Sequence, residues 1–382
     1  MTASRIYADH NARSPLRPEA RAAIERALGV IGNCSSIHAE GRKAKGLLED
    51  SRDAVAASVR AQAMDVTFTS GATEANNHAL FGFVRANSGA TILLSGLEHE
   101  SVWSAAKATG ALLEIIPARL DGTIDLAWLI GRLAGWDKAK DGVPLVCLLL
   151  VNNETGVVQP VSAAADAVHA AGGYLLCDAV QGLGRVSIDI EMLGADYLTL
   201  SAHKLGGAAG IGALIVRGSS PMAPIIFGGG QERGKRAGTE NLLGAASFAA
   251  ACSAASDEEK VRVRGIKDSF EAALLREAPQ ARIVGADAER VFNTSCVVAP
   301  NLAAEMAVVA MDLAGVACSA GSACSSGKVQ ASRVLESMGM DDNAAKSAVR
   351  FSFGWANEAG DGEAAALALA GLIKRAQAQQ AA

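Results

Sequence analysis

Between Val66 and Val216 the sequence alternates two kinds of segment, and that alternation limits the possible folds more than any other feature. Seven apolar runs of strand length occur: Val66–Ser70, Thr91–Ser95, Leu113–Pro117, Leu145–Asn152, Tyr174–Cys177, Tyr197–Ser201 and Ala213–Val216. Longer, Ala-rich amphipathic runs lie between several of them, and Glu74–Ala86, Glu100–Thr109 and Ser162–Ala171 read as helices. Within the short runs apolar residues follow one another without polar alternation, as they do in strands buried on both faces. The pattern predicts an α/β fold built on a mostly parallel sheet covered by helices on both sides.

After about residue 250 the pattern weakens. Ser256–Arg276 is charged and helical, and Asn293–Val298 and Val349–Phe353 read as strands of a second, smaller α+β unit. Ile6–Tyr7 reads as a lone strand expected to pack with that later unit. The expected division is a large domain over residues 16–254 and a small one from residues 1–15 plus 255–382. The C-terminal RAQAQQAA reads as a frayed helix end.

Composition narrows the function classes. The 382 residues carry a net charge of −5, which argues against nucleic acid as the main partner. Half of the residues are hydrophobic and only 4% aromatic, so the core must be aliphatic and Ala-rich. Seven cysteines stand at 34, 147, 177, 252, 296, 318 and 324, with no CxxC pair. That fits neither a disulfide framework nor a structural zinc site, and suggests a reducing compartment. The N-terminal residues lack the apolar run of a signal peptide, and stretches such as Val143–Val151 are far shorter than the ~20 residues a membrane helix needs. The expected location is the cytoplasm, with no membrane partner.

Six positions carry candidate chemistry. Lys204 ends an apolar strand in LTLSAHKLGG, at the sheet edge where open α/β folds bind ligands; it is either a desolvated amine able to form a Schiff base or a loop lysine. Asp178 ends another strand, in YLLCDAVQ, and a buried carboxylate there needs a cation, either a protonated pyridine nitrogen or an Arg. The Asp and, 26 residues later, the Lys together suit pyridoxal phosphate. VTFTSGATE reads as strand, Gly turn and helix start, so the amides of Ala72 and Thr73 can face an anion, although Ser70 and Thr73 also fit plain helix caps. His99 in SGLEHES follows a strand and is either a ring-stacking or proton-moving residue or an ordinary surface or core one. Cys324 lies in VACSAGSACSSGK, which has no hydrophobic periodicity and reads as a mobile, accessible loop, so its thiol is either a candidate nucleophile or one more small residue of that loop. Cys147, Cys177 and Cys296 fall in apolar strands and read as packing. Arg350 in AVRFSFG either faces solvent or clamps a carboxylate.

The motifs SGATEANN (70–77), EHESV (98–102), VNNETGVVQP (151–160), CDAVQ (177–181), SAHKLGG (201–207), RAGTEN (236–241) and SAGSACSSG (319–327), in this order, resemble those of the cysteine desulfurases, members of the class V aminotransferase family. The resemblance covers nearly the whole chain, from about Ile6 to Gly354. It implies the aspartate-aminotransferase-like fold (fold type I) and pyridoxal 5'-phosphate held as a Schiff base on Lys204. It assigns Asp178 to the pyridine nitrogen and Gln181 to the ring hydroxyl. Ala72, Thr73, Ser201 and His203 go to the phosphate, His99 to the ring face, and Asn153 to the space beside cofactor and substrate. Arg350 takes the substrate carboxylate, and Thr239 completes the phosphate site of a partner subunit, implying a homodimer. Cys324 becomes the persulfide-forming residue, in the sequence context of group I, which passes sulfur from L-cysteine to an iron–sulfur scaffold or another thiol carrier.

The chain departs from the family pattern in places. NATTP becomes NARSP at Arg13 and Ser14, GNP becomes GNC at Cys34, HKxGGPKG becomes HKLGGAAG, and Trp355 replaces an Arg. Cys318 is a second thiol near Cys324, and RGKR (233–236) otherwise reads as a solvated basic loop. Rival readings are a selenocysteine lyase, aminotransferase or other amino-acid lyase of the same fold and, in another class, a non-catalytic sulfur-trafficking scaffold.

Overall fold

The computed structural model describes residues 5–299, 302–321 and 331–381. Its strands are, in chain order, β1 (Ile6–Tyr7), β2 (Val66–Thr69), β3 (Thr91–Ser95), β4 (Leu112–Ile116), β5 (Pro144–Leu149), β6 (Tyr174–Asp178), β7 (Tyr197–Ser201), β8 (Gly212–Val216), β9 (Arg282–Ile283), β10 (Thr294–Val298), β11 (Val316–Ala317), β12 (Ser319–Ala320) and β13 (Ala348–Ser352). Seven of them form one sheet in the order β2-β8-β7-β6-β5-β3-β4. Along β5 and β6, Val146, Leu148, Leu175 and Cys177 enter the core on one face, while Leu145, Cys147 and Leu176 enter the core on the other. Two apolar faces on a period of two explain why these strands read as unbroken apolar runs. The edge strand β4 is the exception, with Leu112 and Ile115 exposed.

Strands β3 to β7 pair in parallel, as expected, but β8 runs antiparallel to both β7 and β2. The reason is length. Only residues 202–211 separate β7 from β8, too few for a helical crossover, so the chain must return beside the strand it has just left. This return carries His203 and Lys204 in a short 3-10 turn, Ala202–Lys204. Gly212 opens β8 where a Cβ would lie 2.6 Å from the Leu200 carbonyl oxygen and 2.7 Å from the backbone of Gly71, so glycine lets β8 pass against the turn after β2.

A second sheet, in the order β12-β13-β10-β9, is antiparallel throughout. Against it pack the helices Asp257–Glu277 and Asp361–Ala381, with Phe270 stacked 4.6 Å from Phe351. Strand β1 pairs in parallel with β11, which joins the N-terminal residues to the later part of the chain.

Two expectations need correction. The segment from Val316 is not irregular throughout: residues 316–320 form β11 and β12, and Cys318 between them is buried. RGKR is not simply solvated: Arg236 pairs with Glu74 and Lys235 is half-buried, while Glu232 just before them is buried against Arg52. Among the described residues no helix is long and apolar enough to cross a membrane.

Candidate active site

The C-terminal ends of β6 and β7, the turn after β2 and residues of β13 enclose a cavity of about 520 Å³. Ten of the predicted site residues line it: Ala72, Thr73, His99, Asn153, Asp178, Gln181, Ser201, His203, Lys204 and Arg350. Thr239 does not; it is exposed and lines a separate depression with Cys34 and Asn241. Cys324 lies outside the described residues.

The helix Ala72–Ala86 starts at this cavity, and the amides of its first turn have no acceptor within the helix. Glu74 steadies the turn: its carboxylate accepts the Ser70 N–H at 2.8 Å and is gripped by two nitrogens of Arg236 at 2.8 and 3.1 Å. At the end of β7, Ser201 Oγ and His203 Nδ1 are 2.9 Å apart. Burial, helped by the charges of Lys204 and Arg13, lowers the His203 pKa to about 4, so its ring is neutral at pH 7. Lys204 Nζ donates to the carbonyls of Asn11 and Ala12 at 2.7 and 2.9 Å.

Asp178 is 6% exposed and no cation pairs with it among the described residues. Its Oδ2 accepts the Asn76 amide at 3.0 Å and its Oδ1 the Val180 N–H at 3.1 Å. Asn76, fully buried on the first-turn helix, also donates to Ser101 Oγ and accepts from Thr199 Oγ1. Ser101 in turn contacts His99: its N–H and its hydroxyl lie 3.1 and 2.8 Å from Nδ1. Nδ1 is thereby an acceptor, which leaves Nε2 as the ring nitrogen that carries a proton.

Arg350 neither faces solvent nor lacks a carboxylate. It is 3% exposed on β13, with Nη2 on Asp9 at 2.8 Å and Nη1 on the Asn153 carbonyl at 3.0 Å. Its Nε is buried with no hydrogen-bond partner among the described residues. The residue also lines the cavity, where a guanidinium suits a carboxylate ligand.

Sequence reasoning missed several supporting residues. Asn76 and Ser101 lay inside quoted motifs, but only folding puts them between His99 and Asp178. Asn11 and Asp9 come from the N-terminal strand region and reach the site across the whole length of the chain. Glu154, beside Asn153, is buried: its Oε2 accepts the Ser332 hydroxyl, and desolvation raises its pKa to about 7. Glu98, beside His99, is pushed well above the usual carboxyl range by full burial, with Oε1 accepting the Leu149 N–H and Oε2 without a partner among the described residues. Buried, paired acids of this kind leave no local pattern in sequence. The six described cysteines, Cys34, Cys147, Cys177, Cys252, Cys296 and Cys318, are buried or half-buried and all have thiols raised by desolvation, that of Cys34 to about 11 and those of Cys252, Cys296 and Cys318 to about 12, so none is a thiolate at neutral pH.

The Aminotransferase class-V family profile matches residues 6–364. A cysteine desulfurase of Cereibacter sphaeroides is 37% identical over 355 residues, covering 91% of this chain and 90% of that protein. An IscS-like cysteine desulfurase of Mycobacterium tuberculosis is 32% identical over 387 residues, covering 97% of each. The crystal structure of a NifS-like protein from Rickettsia africae superposes with a TM-score of 0.88 at 31% identity, covering 97% of this chain and 99% of that one.

Proposed function

The chain belongs to the class-V aminotransferase family, in its cysteine desulfurase branch, and from that premise we propose that it removes sulfur from L-cysteine, giving L-alanine and a persulfide on Cys324. The observation that carries this reading is the gathering in one cavity of Lys204, the buried carboxylate of Asp178 held among the described residues by uncharged donors, and the guanidinium of Arg350.

The donor set fits pyridoxal 5'-phosphate, the cofactor of this family. Asp178 suits a protonated ring nitrogen because its hydrogen bonds, from the Asn76 amide and the Val180 N–H, come from uncharged donors. The first-turn amides at Ala72 and Thr73, with Ser201 and neutral His203, suit a phosphate. In this reading His99 would face the ring and Gln181 would meet its hydroxyl. When bound, the cofactor supplies an electron-withdrawing ring that weakens the Cα–H bond of an amino acid.

The chain's own residues do the rest. Arg350 binds the substrate carboxylate and Asn153 lies beside it. The Lys204 amine takes the Cα proton, and Nε2 of His99 offers a proton to the cleft. The Cys324 thiolate attacks the substrate sulfur, the Cβ–Sγ bond breaks, and Cβ gains a proton. Carbon is reduced as the two sulfurs become a persulfide, so no outside oxidant is needed. The same reading places Thr239 in the phosphate site of a partner subunit in a homodimer. It divides the chain into residues 16–254 and 1–15 plus 255–382, and sends the sulfur in the cytoplasm to an iron–sulfur scaffold or other thiol carrier.

The test is turnover of L-cysteine by protein loaded with pyridoxal phosphate, followed by mass spectrometry of the peptide containing Cys324. Alanine formed together with one added sulfur on Cys324, both lost in Cys324→Ser while the cofactor stays bound, is the expected result. Alanine production undiminished in Cys324→Ser overturns the sulfur-relay step, and no turnover of cysteine by wild type overturns the whole assignment.

A further inference from the structure

Arg185 lies behind the cavity, not in its wall, and the reading above gives it no task. It is half-buried, four residues after Gln181. Its Nη1 donates to both the backbone carbonyl and the side-chain Oε1 of Gln181. On the other side of that amide, Gln181 Nε2 donates to the Asn11 carbonyl at 3.0 Å, the same oxygen that receives Lys204 Nζ at 2.7 Å. A guanidinium can only donate and a carbonyl can only accept, so these two neighbours leave the Gln181 amide a single orientation, with its N–H₂ group toward Lys204.

The charge of Arg185 is also uncompensated. Among the described residues no carboxylate pairs with it, and the charges that act on it are repulsive: burial and Arg350 lower its pKa to about 9. His10, whose ring is held neutral by burial and by the charges of Arg185 and Arg17, lies on the same side. Arg17 is matched by Glu259 and Arg350 by Asp9, so neither of those cations is left in the same state. Around Lys204 the other charged or titratable cavity groups are Asp178, His99, His203, Arg350 and Glu74, the last already paired with Arg236.

We infer that Arg185 is a positioning residue: it locks the Gln181 amide as a hydrogen-bond donor toward the cofactor's ring hydroxyl and supplies the unneutralised positive charge behind it. The inference rests on the cofactor assignment proposed above. Its consequence is electrostatic. A positive charge behind Gln181 stabilises an anionic ring oxygen and disfavours the protonated form of the Lys204–cofactor linkage, so it lowers the pH at which that linkage loses its proton.

The experiment follows the cofactor's visible absorption band against pH in wild type, Arg185→Lys, Arg185→Gln and Arg185→Met, each loaded with pyridoxal 5'-phosphate. R185K keeps charge and donor and should titrate with the wild-type midpoint. R185Q keeps a donor but no charge, and its midpoint should rise by about one pH unit. R185M loses both, and should show the raised midpoint together with faster cofactor release. A folded R185Q whose midpoint equals that of wild type overturns the inference, as does an R185K that behaves like R185Q. Should R185M fail to fold, the R185K and R185Q pair still decides. A wild type that binds no pyridoxal phosphate overturns the cofactor assignment instead, so the two failures are distinct.

Discussion

The two ends of the cleft handle charge in opposite ways. At the large-sheet end, Asp178 is held by the amide of Asn76 and the N–H of Val180, so its charge remains available to a ligand. At the small-sheet end, Arg350 already has the Asp9 carboxylate at 2.8 Å, which offsets part of its charge. The difference suits what each end is proposed to hold. A cofactor stays through every turnover, so a full opposite charge inside the protein is an advantage. A substrate carboxylate must leave as product, and a half-neutralised cation binds it without trapping it.

The largest expected effect comes from the end where charge is unneutralised. Asp178→Asn preserves shape and hydrogen-bonding capacity but removes the charge, and losing a buried charge partner is worth about 3–5 kcal/mol. Turnover should fall by roughly 10²–10⁴-fold, with the cofactor still bound. Steady-state kinetics and cofactor absorbance on the same sample check it; a loss under tenfold would erase the proposed contrast between the two ends.

Asp9→Asn should act more gently, and on binding. Asp9 joins Arg350 to Ser319, whose hydroxyl donates to the other carboxylate oxygen at 2.7 Å. Without the charge, Arg350 is less firmly aimed, and KM for L-cysteine should rise about tenfold with kcat little changed. An equal fall in kcat and no change in KM would assign Asp9 to the chemistry and not to the binding of substrate.

These contrasts also show what the sequence makes legible. Lys204 and Asp178 are recognisable because an apolar run ending in a charged residue places that residue at the strand end of a parallel sheet. The five parallel strands from β3 to β7 follow from the same pattern. The antiparallel β8 does not, since its direction depends on the length of the 202–211 connection and not on any residue in it. Nor do the polar supports: Asn76 reads as one more helix residue until the helix start is docked on β6, and Asp9 meets Arg350 across 341 positions of chain. Local pattern shows which groups carry charge; only the tertiary fold shows which of them are neutralised.

Glu154 sharpens the comparison through pH. Burial raises its pKa to about 7, so the folded protein holds a proton there that the unfolded chain gives up near the ordinary value of 4.5. Between those limits the native state binds more protons than the unfolded one, so this group's contribution to stability is complete below about pH 4.5 and declines as pH rises toward 7. Glu154→Gln removes the titration while keeping an acceptor for Ser332. Thermal melts of the two proteins should therefore diverge as pH rises from 5 to 8, the variant gaining on the order of 2–3 kcal/mol relative to wild type. Parallel melting curves would mean that Glu154 is ionised throughout.

The smallest effect is expected at Cys318, and it separates the thiols from one another. Cys318 is 8% exposed between β11 and β12, packed in the core of the second sheet, and burial raises its thiol to about 12. A thiol so protonated is a poor nucleophile at neutral pH, whatever its nearness in sequence to Cys324. Cys318→Ala should leave alanine production within about twofold of wild type and reduce stability by about 1 kcal/mol, the usual scale for deleting one small buried group. Alkylation at pH 7 followed by peptide mapping gives the same answer without a mutation, because a protonated, buried sulfur stays unlabelled in the folded protein. Labelling of Cys318 under those conditions, or loss of persulfide formation in Cys318→Ala, would turn the buried thiol into a second carrier and remove the distinction between a reacting cysteine and a packed one.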